Sequence, residues 1–246
     1  MKYFLDTVDT IAKGVGFQLY DSCHMLWLLA FVVIVLICSI VYRHCDERRR
    51  RKFRIGVAAL LVIDELFKQV CLQLGDNFEF SYLPLHLCSI NIILIALHAI
   101  KPSRILDSFL YTVCIPGAIA ALLFPTWTKL PFGNFMHMHS FSVHILLALY
   151  PIMLTAGADI RPTVRDIPRT LGFLGMLAVV VYGINLLLDT NFMFLMKAPK
   201  GNPLYWFEKT FGEHLIGYPI LIALVLLVMY IPIVYTAHRK KRNIAV

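Results

Sequence analysis

Residues 23–52 read CHMLWLLAFVVIVLICSIVYRHCDERRRRK, an apolar run that ends in a block of basic residues. The run from Cys23 to Tyr42 falls within the roughly 17–25 residues that a helix needs to cross a bilayer. An excess of Lys and Arg beside such a run marks the cytoplasmic side of the membrane. This stretch therefore predicts a transmembrane helix that begins outside the cell and ends inside it.

The composition extends this prediction to the whole chain. The 246 residues are 59% hydrophobic and 15% charged, whereas about 25% of the residues of a soluble domain are charged. We predict an all-α fold, a polytopic membrane helix bundle of about seven transmembrane helices, in a single integral membrane domain over residues 1–246. The predicted spans are Cys23–Tyr42, Ile55–Leu74, Leu83–Ile100, Ile105–Phe124, Met138–Ala156, Leu171–Leu188 and Leu215–Tyr235.

The basic residues are distributed unequally between the two sides that this topology creates. Sixteen Lys and Arg residues fall on the side of the RRRRK run, and six fall on the other side. The positive-inside rule therefore favours an N-out/C-in, multi-pass protein of the plasma membrane. We interpret the RRRRK run as an anchor beside anionic lipid headgroups, so the net charge of +8 does not indicate nucleic-acid binding.

Two segments outside the spans have amphipathic character. Residues 1–22 carry apolar side chains at helical spacing and predict a short interfacial helix. They lack the continuous apolar core and the small-residue cleavage site of a signal peptide. Residues 189–213, DTNFMFLMKAPKGNPLYWFEKTFGE, are rich in aromatic residues and predict an outer loop that caps the bundle.

Three charged side chains interrupt the second span. Asp64 and Glu65 lie four and three residues before Lys68, so both acids can meet the lysine on one helix face. Charged groups at this depth are costly unless they are paired. Two interpretations stay open here: a compensated structural cluster, or the ion path of a small-solute or ion-coupled transporter.

The third span opens with the polar stretch LPLHLCSIN, Leu83–Asn91. Cys88 and Asn91 share a helix face, while His86 points away from Cys88. In the fifth span, His144 lies at a depth that matches Cys88 to within about one helical turn. A thiol and an imidazole are the parts of a nucleophile–base pair, but the sequence does not decide whether these two touch.

The fifth span also contains His137 and His139, which have the HxH spacing of some zinc sites. A helix sets these two side chains about 200° apart, which makes them poor joint ligands. No carboxylate nearby in the sequence completes such a site. We therefore predict no metal and no cofactor.

Three stretches together resemble a known family. LPLHLCSI at Leu83–Ile90, FSVHILLALYPI at Phe141–Ile152 and NLLLDTNFMFLMKAP at Asn185–Pro199 resemble the bacterial YwaF-like family of integral membrane proteins. That family is similar to the vertebrate transmembrane protein 164 acyltransferase, and more distantly to the androgen-induced membrane hydrolases of fatty-acid esters. The resemblance implies a lipid acyltransferase or hydrolase with a covalent acyl-enzyme, and it assigns the nucleophile to Cys88 and the histidine to His144.

The leading hypothesis is therefore an enzyme that transfers or hydrolyses an acyl chain of an outer-leaflet lipid. Membrane lipids are the expected substrates, and the sequence predicts no oligomeric state. A transporter and a seven-helix protein without chemistry are the alternatives. The residues expected to contact the substrate or an oxyanion, besides the catalytic pair, are Asn91, His86, His139, Asn185, Asn191 and Lys200.

Overall fold

The computed structural model describes residues 2–199 and 203–244, with side chains up to residue 235. Over these residues the fold is all-α. The helices are α1 (Ser22–His44), α2 (Glu47–Leu74), α3 (Leu87–Ile100), α4 (Arg104–Phe109), α5 (Ile115–Leu123), α6 (Phe135–Ala156), α7 (Ile167–Leu188), α8 (Pro203–Phe211) and α9 (Gly217–Ile244). A π-helical segment, Leu110–Cys114, joins α4 and α5 into one continuous helix.

Five helical stretches in the described part of the chain are long and apolar enough to cross a membrane. They are α1, the continuous α4–α5, α6, α7 with the turn before it, and α9. Of the other two predicted spans, α2 has 28 residues but carries three charges in its apolar half, and α3 has only 14 residues. The chain is thus a helical membrane protein. The count of seven crossings, which depends on α2 and α3, stays a prediction.

Helix α6 lies at the centre of the bundle. It packs against α1, α2, α3 and α5, and 15 of its 22 residues are buried. A helix that is surrounded by other helices can carry polar side chains without exposing them to lipid. The three histidines of α6 therefore face protein on different sides, and each has its own partners.

The end of the bundle that holds the RRRRK run is fixed by an ion-pair network. Arg50 Nη1 lies 2.6 Å from Asp159 Oδ1, and Arg54 Nη1 lies 3.2 Å from Asp159 Oδ2. The hydroxyl of Tyr42 donates to the same Asp159 oxygen. One arginine of the basic run is thus turned toward the protein instead of toward lipid, while the other three are exposed.

Helix α3 begins at Leu87, four residues after the predicted start of its span at Leu83. Pro84 accounts for part of the difference, because proline disfavours the helical conformation of the residue before it; Leu83 is non-helical, and His86 is extended as well. A 3-10 turn, Phe80–Tyr82, precedes this stretch. Cys88 therefore lies in the first turn of α3 and not in its interior.

Residues 2–21 form successive turns, so the predicted interfacial helix over residues 1–22 is not observed in this part of the chain. Asn134 holds the segment in place. Its Nδ2 donates to the carbonyl oxygen of Tyr3 at 2.8 Å and to that of Asp6 at 2.7 Å. Its Oδ1 accepts from two amides in the first turn of α6. The apolar side chains of the segment pack against the end of the bundle instead of lining one helix face.

The predicted outer loop over residues 189–213 contains more helix than expected. A 3-10 turn forms at Phe192–Phe194, and α8 covers Pro203–Phe211. Met193 and Phe194 both adopt positive φ angles of 56°, a conformation that side chains other than glycine adopt only when their surroundings enforce it.

Candidate active site

Cys88 and His144 come together at the contact between α3 and α6. Cys88 Sγ lies 3.2 Å from His144 Nε2. The other ring nitrogen, Nδ1, lies 2.6 Å from the carbonyl oxygen of Ser140. Because a carbonyl oxygen can only accept, Nδ1 carries the ring proton and Nε2 is left to accept from the thiol. The imidazole is thus held in the tautomer that a general base for Cys88 requires.

The backbone around Cys88 adds a favourable field. Cys88 is the second residue of α3, which begins at Leu87 after the extended residue His86. Amides in the first turn of a helix have no carbonyl partner within the helix, and they carry a partial positive charge. Such an environment favours a thiolate over a thiol and also favours the negative charge that develops on an attacked carbonyl.

The Cys88–His144 pair lies inside the bundle, away from the end at which α6 begins. His144 is nine residues after Phe135, the first residue of α6, which places it about 13 Å along the helix. Two segments without α-helix, residues 76–86 and 124–134, flank the pair; the first leads to Cys88 and the second carries Trp127, which stacks on His144. Non-helical backbone at membrane depth is tolerated where protein covers it or where it lines a cavity.

Trp127, from the second of these segments, covers one face of the imidazole. The rings of Trp127 and His144 stack with their centroids 5.3 Å apart and their planes 13° from parallel. Both side chains are buried. The indole fixes the orientation of the base and keeps water from that face.

Two buried polar atoms around the pair have no hydrogen-bond partner among the described residues. They are the indole Nε1 of Trp127 and the amide Oδ1 of Asn91, one helical turn after Cys88. Trp127 is 8% exposed and Asn91 is 4% exposed. Leaving such a group unpaired costs about 1–3 kcal/mol. An unpaired donor and an unpaired acceptor beside the candidate pair are available to a bound ligand.

The charged residues of α2 form a cluster of their own. Lys68 Nζ lies 2.7 Å from Glu65 Oε1, and Gln69 Nε2 donates to the same oxygen at 2.9 Å. Lys68 and Gln69 also donate to the carbonyl oxygen of Tyr82, at 3.3 Å and 2.9 Å. The cluster thus ties α2 to the non-helical segment that leads to Cys88.

His139 joins this cluster from α6 on a side away from His144. Its Nδ1 lies 3.1 Å from Asp64 Oδ2, and its Nε2 lies 3.8 Å from Glu65 Oε2. The first contact is short but lacks the angles of a hydrogen bond, because both of its atoms are without one. The two side chains are thus in close polar contact. This contact couples α2 to α6 and places His139 outside the Cys88 pair.

His86 does not contact the thiol. Its Nδ1 accepts a hydrogen bond of 3.3 Å from the backbone N–H of Met193, and its ring lies 5.3 Å from that of Phe192 and 5.4 Å from that of Phe194. Two of the stretches that carried the family resemblance, LPLHLC and NFMFL, are thus in direct contact. His86 positions the positive-φ residues of the second stretch.

Asn185 and Asn191 shape the backbone after α7. Asn185 Nδ2 donates to the carbonyl oxygen of Phe192 at 3.0 Å, and its Oδ1 accepts from the N–H of Phe192 at 2.8 Å. Asn191 Oδ1 accepts from the N–H of Met196 at 3.0 Å. Their amides are thus engaged in closing this loop, and the structure does not bring them to Cys88. Lys200 lies outside the described residues.

His137 is satisfied on both nitrogens. Trp27 Nε1 donates to its Nε2 at 3.0 Å, so its Nδ1 carries the proton and donates to the carbonyl oxygen of Leu130, also at 3.0 Å. This arrangement is that of a structural core histidine. In the described part of the chain, no group of three His, Cys, Asp or Glu side chains is arranged to hold a metal ion.

Two contributors to the site were not predicted from the sequence. The role of the Ser140 carbonyl could have been predicted, because a helix brings the carbonyl of residue i−4 close to the side chain of residue i. Trp127 lies between two predicted spans, and only the tertiary structure shows that its ring stacks on His144.

Comparisons with known proteins place the chain in a family. A family model described as the TMEM164 family matches residues 19–238. The match covers most of the chain, which therefore belongs to the TMEM164 family, and the resemblance noted in the sequence is confirmed. No curated protein and no solved structure matches the chain significantly.

Proposed function

We propose that this TMEM164-family protein is a membrane-embedded lipid acyltransferase or acyl hydrolase that works through a thioester on Cys88. The contact of 3.2 Å between Cys88 Sγ and His144 Nε2 carries the proposal. The N–H at Nδ1 donates a hydrogen bond to Ser140 O, and the first turn of α3 supplies positive potential. Nucleophile, base and orienting group thus follow the general logic of a catalytic triad.

In the first half-reaction, His144 Nε2 takes the thiol proton and Sγ attacks the carbonyl carbon of an ester-linked acyl chain. The new S–C bond pushes an electron pair onto the carbonyl oxygen. When the carbonyl re-forms, the ester C–O bond breaks and His144 returns the proton to the leaving alkoxide. The products are a thioester on Cys88 and a lipid with a free hydroxyl group.

In the second half-reaction, a hydroxyl group gives its proton to Nε2 while its oxygen attacks the thioester carbonyl. The S–C bond then breaks, and the thiolate recovers the proton from His144. A lipid hydroxyl gives transfer and water gives hydrolysis. When water is the nucleophile, its second O–H can donate to the unpaired Oδ1 of Asn91, because only its first proton passes to Nε2.

A membrane lipid is the substrate that fits the proposal, since Cys88 packs among partly buried apolar side chains of the main core of the bundle. Exclusion of water around the thioester favours transfer over hydrolysis. With the N-out orientation proposed from the charge distribution, the substrate comes from the outer leaflet of the plasma membrane.

The transporter alternative relied on Asp64, Glu65 and Lys68. In the structure these charges face one another, His139 and the Tyr82 carbonyl. This arrangement supports a structural role that holds α2 against α6 and against the segment before α3. No contact in the cluster favours a transport path over acyl transfer.

The thioester itself provides the test. Purified protein in lipid nanodiscs is incubated with phospholipid that carries a labelled acyl chain, and the labelled residue is located by mass spectrometry. We expect label on Cys88 that neutral hydroxylamine removes, because hydroxylamine cleaves thioesters far faster than oxygen esters. His144→Ala should slow acylation by about 10²–10⁴-fold, the usual contribution of a general base.

Cys114→Ala is the matched control, because Cys114 is buried in the same core and its thiol donates only to the Leu147 carbonyl. That variant should acylate like the wild type, whereas Cys88→Ala should take up no label. Absence of thioester from folded wild-type protein across phospholipid classes, or label that persists in Cys88→Ala, would refute the acyl-enzyme proposal.

A further inference from the structure

We propose that the indole N–H of Trp127 donates a hydrogen bond to the oxyanion that forms on the acyl carbonyl during attack by Cys88. The inference rests on the proposed acyl-transfer function and adds a catalytic residue to it. It assigns to Trp127 a chemical role beyond packing on the base. Three observations support it: an unpaired donor, its place beside the base and the anchoring of its segment.

The first observation is that the donor has no partner. Trp127 Nε1 is buried and makes no hydrogen bond to any described residue. An indole N–H can only donate, so no rearrangement of protons satisfies it. Buried tryptophan N–H groups usually find an acceptor. We assign that acceptor to the acyl carbonyl of the substrate, because Trp127 stacks on the base of the candidate pair.

The other two tryptophans of the chain provide the contrast. Trp27 Nε1 donates to His137 Nε2 at 3.0 Å, and Trp206 is 58% exposed. Trp127 thus combines burial with an unused donor, and it is the tryptophan that stacks on His144.

The second observation is the position of the indole relative to the reacting atoms. Its ring is nearly parallel to the imidazole, at a centroid distance of 5.3 Å, while Cys88 Sγ lies 3.2 Å from the Nε2 edge of that imidazole. An acyl carbonyl joined to Sγ therefore lies beside the imidazole on which Trp127 stacks. The first turn of α3 offers backbone donors there, and the proposal directs the indole N–H to the same carbonyl oxygen.

The third observation is that the segment of Trp127 is held before any substrate binds. The carbonyl oxygen of Thr128 accepts from the N–H of Phe17 at 2.9 Å, and the carbonyl oxygen of Trp127 accepts from the N–H of Leu130 at 3.0 Å. Gly16 packs so closely that a Cβ there would lie 2.1 Å from Thr128 O. Donors that are fixed in advance stabilise an oxyanion most, because they need no reorganisation during the reaction.

The test compares two reactions of the same thiol. Acyl transfer from an ester to Cys88 passes through an oxyanion, whereas alkylation of Cys88 by iodoacetamide is a direct displacement at carbon that forms none. Both reactions need the thiolate and the orientation of His144. Trp127→Phe keeps an aromatic ring on the imidazole and removes the N–H. We expect the acylation rate constant to fall by about 10²–10³-fold, with the alkylation rate of Cys88 unchanged.

Two further variants keep the test decisive. Trp27→Phe removes an indole N–H that serves His137, and it should leave both rates as in the wild type. Replacement of Trp127 by 3-benzothienyl-alanine exchanges the N–H for sulfur at nearly constant shape, so it reports on the donor even if Trp127→Phe fails to fold. It should reproduce the selective loss of acylation.

The outcomes separate the two proposals. If acylation and alkylation slow by the same factor, Trp127 acts by positioning His144, and the oxyanion role is wrong. If acylation does not change, the oxyanion role is also wrong, while the thioester mechanism stands. If folded wild-type protein forms no thioester on Cys88, the proposed function itself fails and this inference falls with it.

Discussion

Cys88 differs from Cys114 in the group that faces its thiol. Cys114 donates to the carbonyl oxygen of Leu147 at 3.3 Å, and a carbonyl holds a thiol proton without removing it. Cys88 faces an imidazole nitrogen at 3.2 Å, which can take the proton away. Two cysteines of one core thus face different atoms, and we expect different reactivity from that single difference.

The pair Glu65–Lys68 leads to a prediction at the same scale. The two side chains are 12% and 9% exposed and lie 2.7 Å apart. Removing one partner of a buried ion pair leaves an uncompensated charge and typically costs about 3–5 kcal/mol. We expect Glu65→Gln to lower the free energy of unfolding by an amount of this order, measured by SDS titration in mixed micelles.

A double variant isolates the cause. Glu65→Gln combined with Lys68→Met removes both charges and should recover most of the lost stability, because no charge of this pair then remains buried. A double variant as unstable as Glu65→Gln would show that the ion pair is not the origin of the loss.

Among the elements, the helical spans were predictable because their signal is a long apolar run that few other structures produce. The start of α3 was predicted at Leu83 and lies at Leu87, because Pro84 indicated only that Leu83 is non-helical. The segment before α1 was misinterpreted because apolar side chains at helical spacing also arise in a turn-rich segment that packs on a bundle. Its backbone bonds to side chains far along the chain, such as Asn134, which local periodicity cannot reveal.

The candidate site shows the same limit. The sequence identified Cys88 and His144 as candidates, since helical rise gave them similar depths. The sequence did not reveal that Cys88 and His144 touch, because their contact depends on how α3 packs on α6. Asn185 and Asn191 also show why polar residues near a span end are ambiguous. Their amides suit a headgroup equally well, but the structure engages them in local loop closure.

Asn134 links two elements, so its loss should affect both. Its Oδ1 caps α6, and its Nδ2 holds residues 2–21. Removing a helix cap typically costs about 0.5–2 kcal/mol. We expect Asn134→Ala to lose stability in this range and to speed proteolytic cleavage within residues 2–21, measured by limited proteolysis in nanodiscs.

Asn77→Ala serves as the comparison. Asn77 Nδ2 donates to the carbonyl oxygen of Leu5 at 3.0 Å, so it holds the same segment without capping α6. That variant should speed cleavage with a smaller loss of stability. Equal stability losses in the two variants would contradict the capping role of Asn134.

At the scale of the whole molecule, the two ends of the bundle have opposite character. One end gathers the non-helical segments and the Cys88 pair, and the other gathers the basic run and its network around Asp159. The excess of basic residues at the second end favours a cytoplasmic location for it.

Lys13 and Lys52 are exposed residues at these two ends, and they make the orientation testable. We expect Lys13→Cys to add a site for a membrane-impermeant maleimide in intact cells. Lys52→Cys should add one only after permeabilisation. The mass added by the maleimide is compared with that of the wild type, so that labelling of the native cysteines is subtracted. The reverse pattern would establish the opposite orientation and move the proposed substrate to the inner leaflet.

The central place of α6 has a consequence for biosynthesis. The chain leaves the ribosome N-terminus first, so α2 and α3 reach the translocon before α6 has been made. At that stage Lys68 can pair with Glu65, but Asp64 still lacks His139, which α6 supplies. We therefore expect the hairpin of α2 and α3 to be incompletely paired until α6 emerges. The contact between Cys88 and His144 also forms only then.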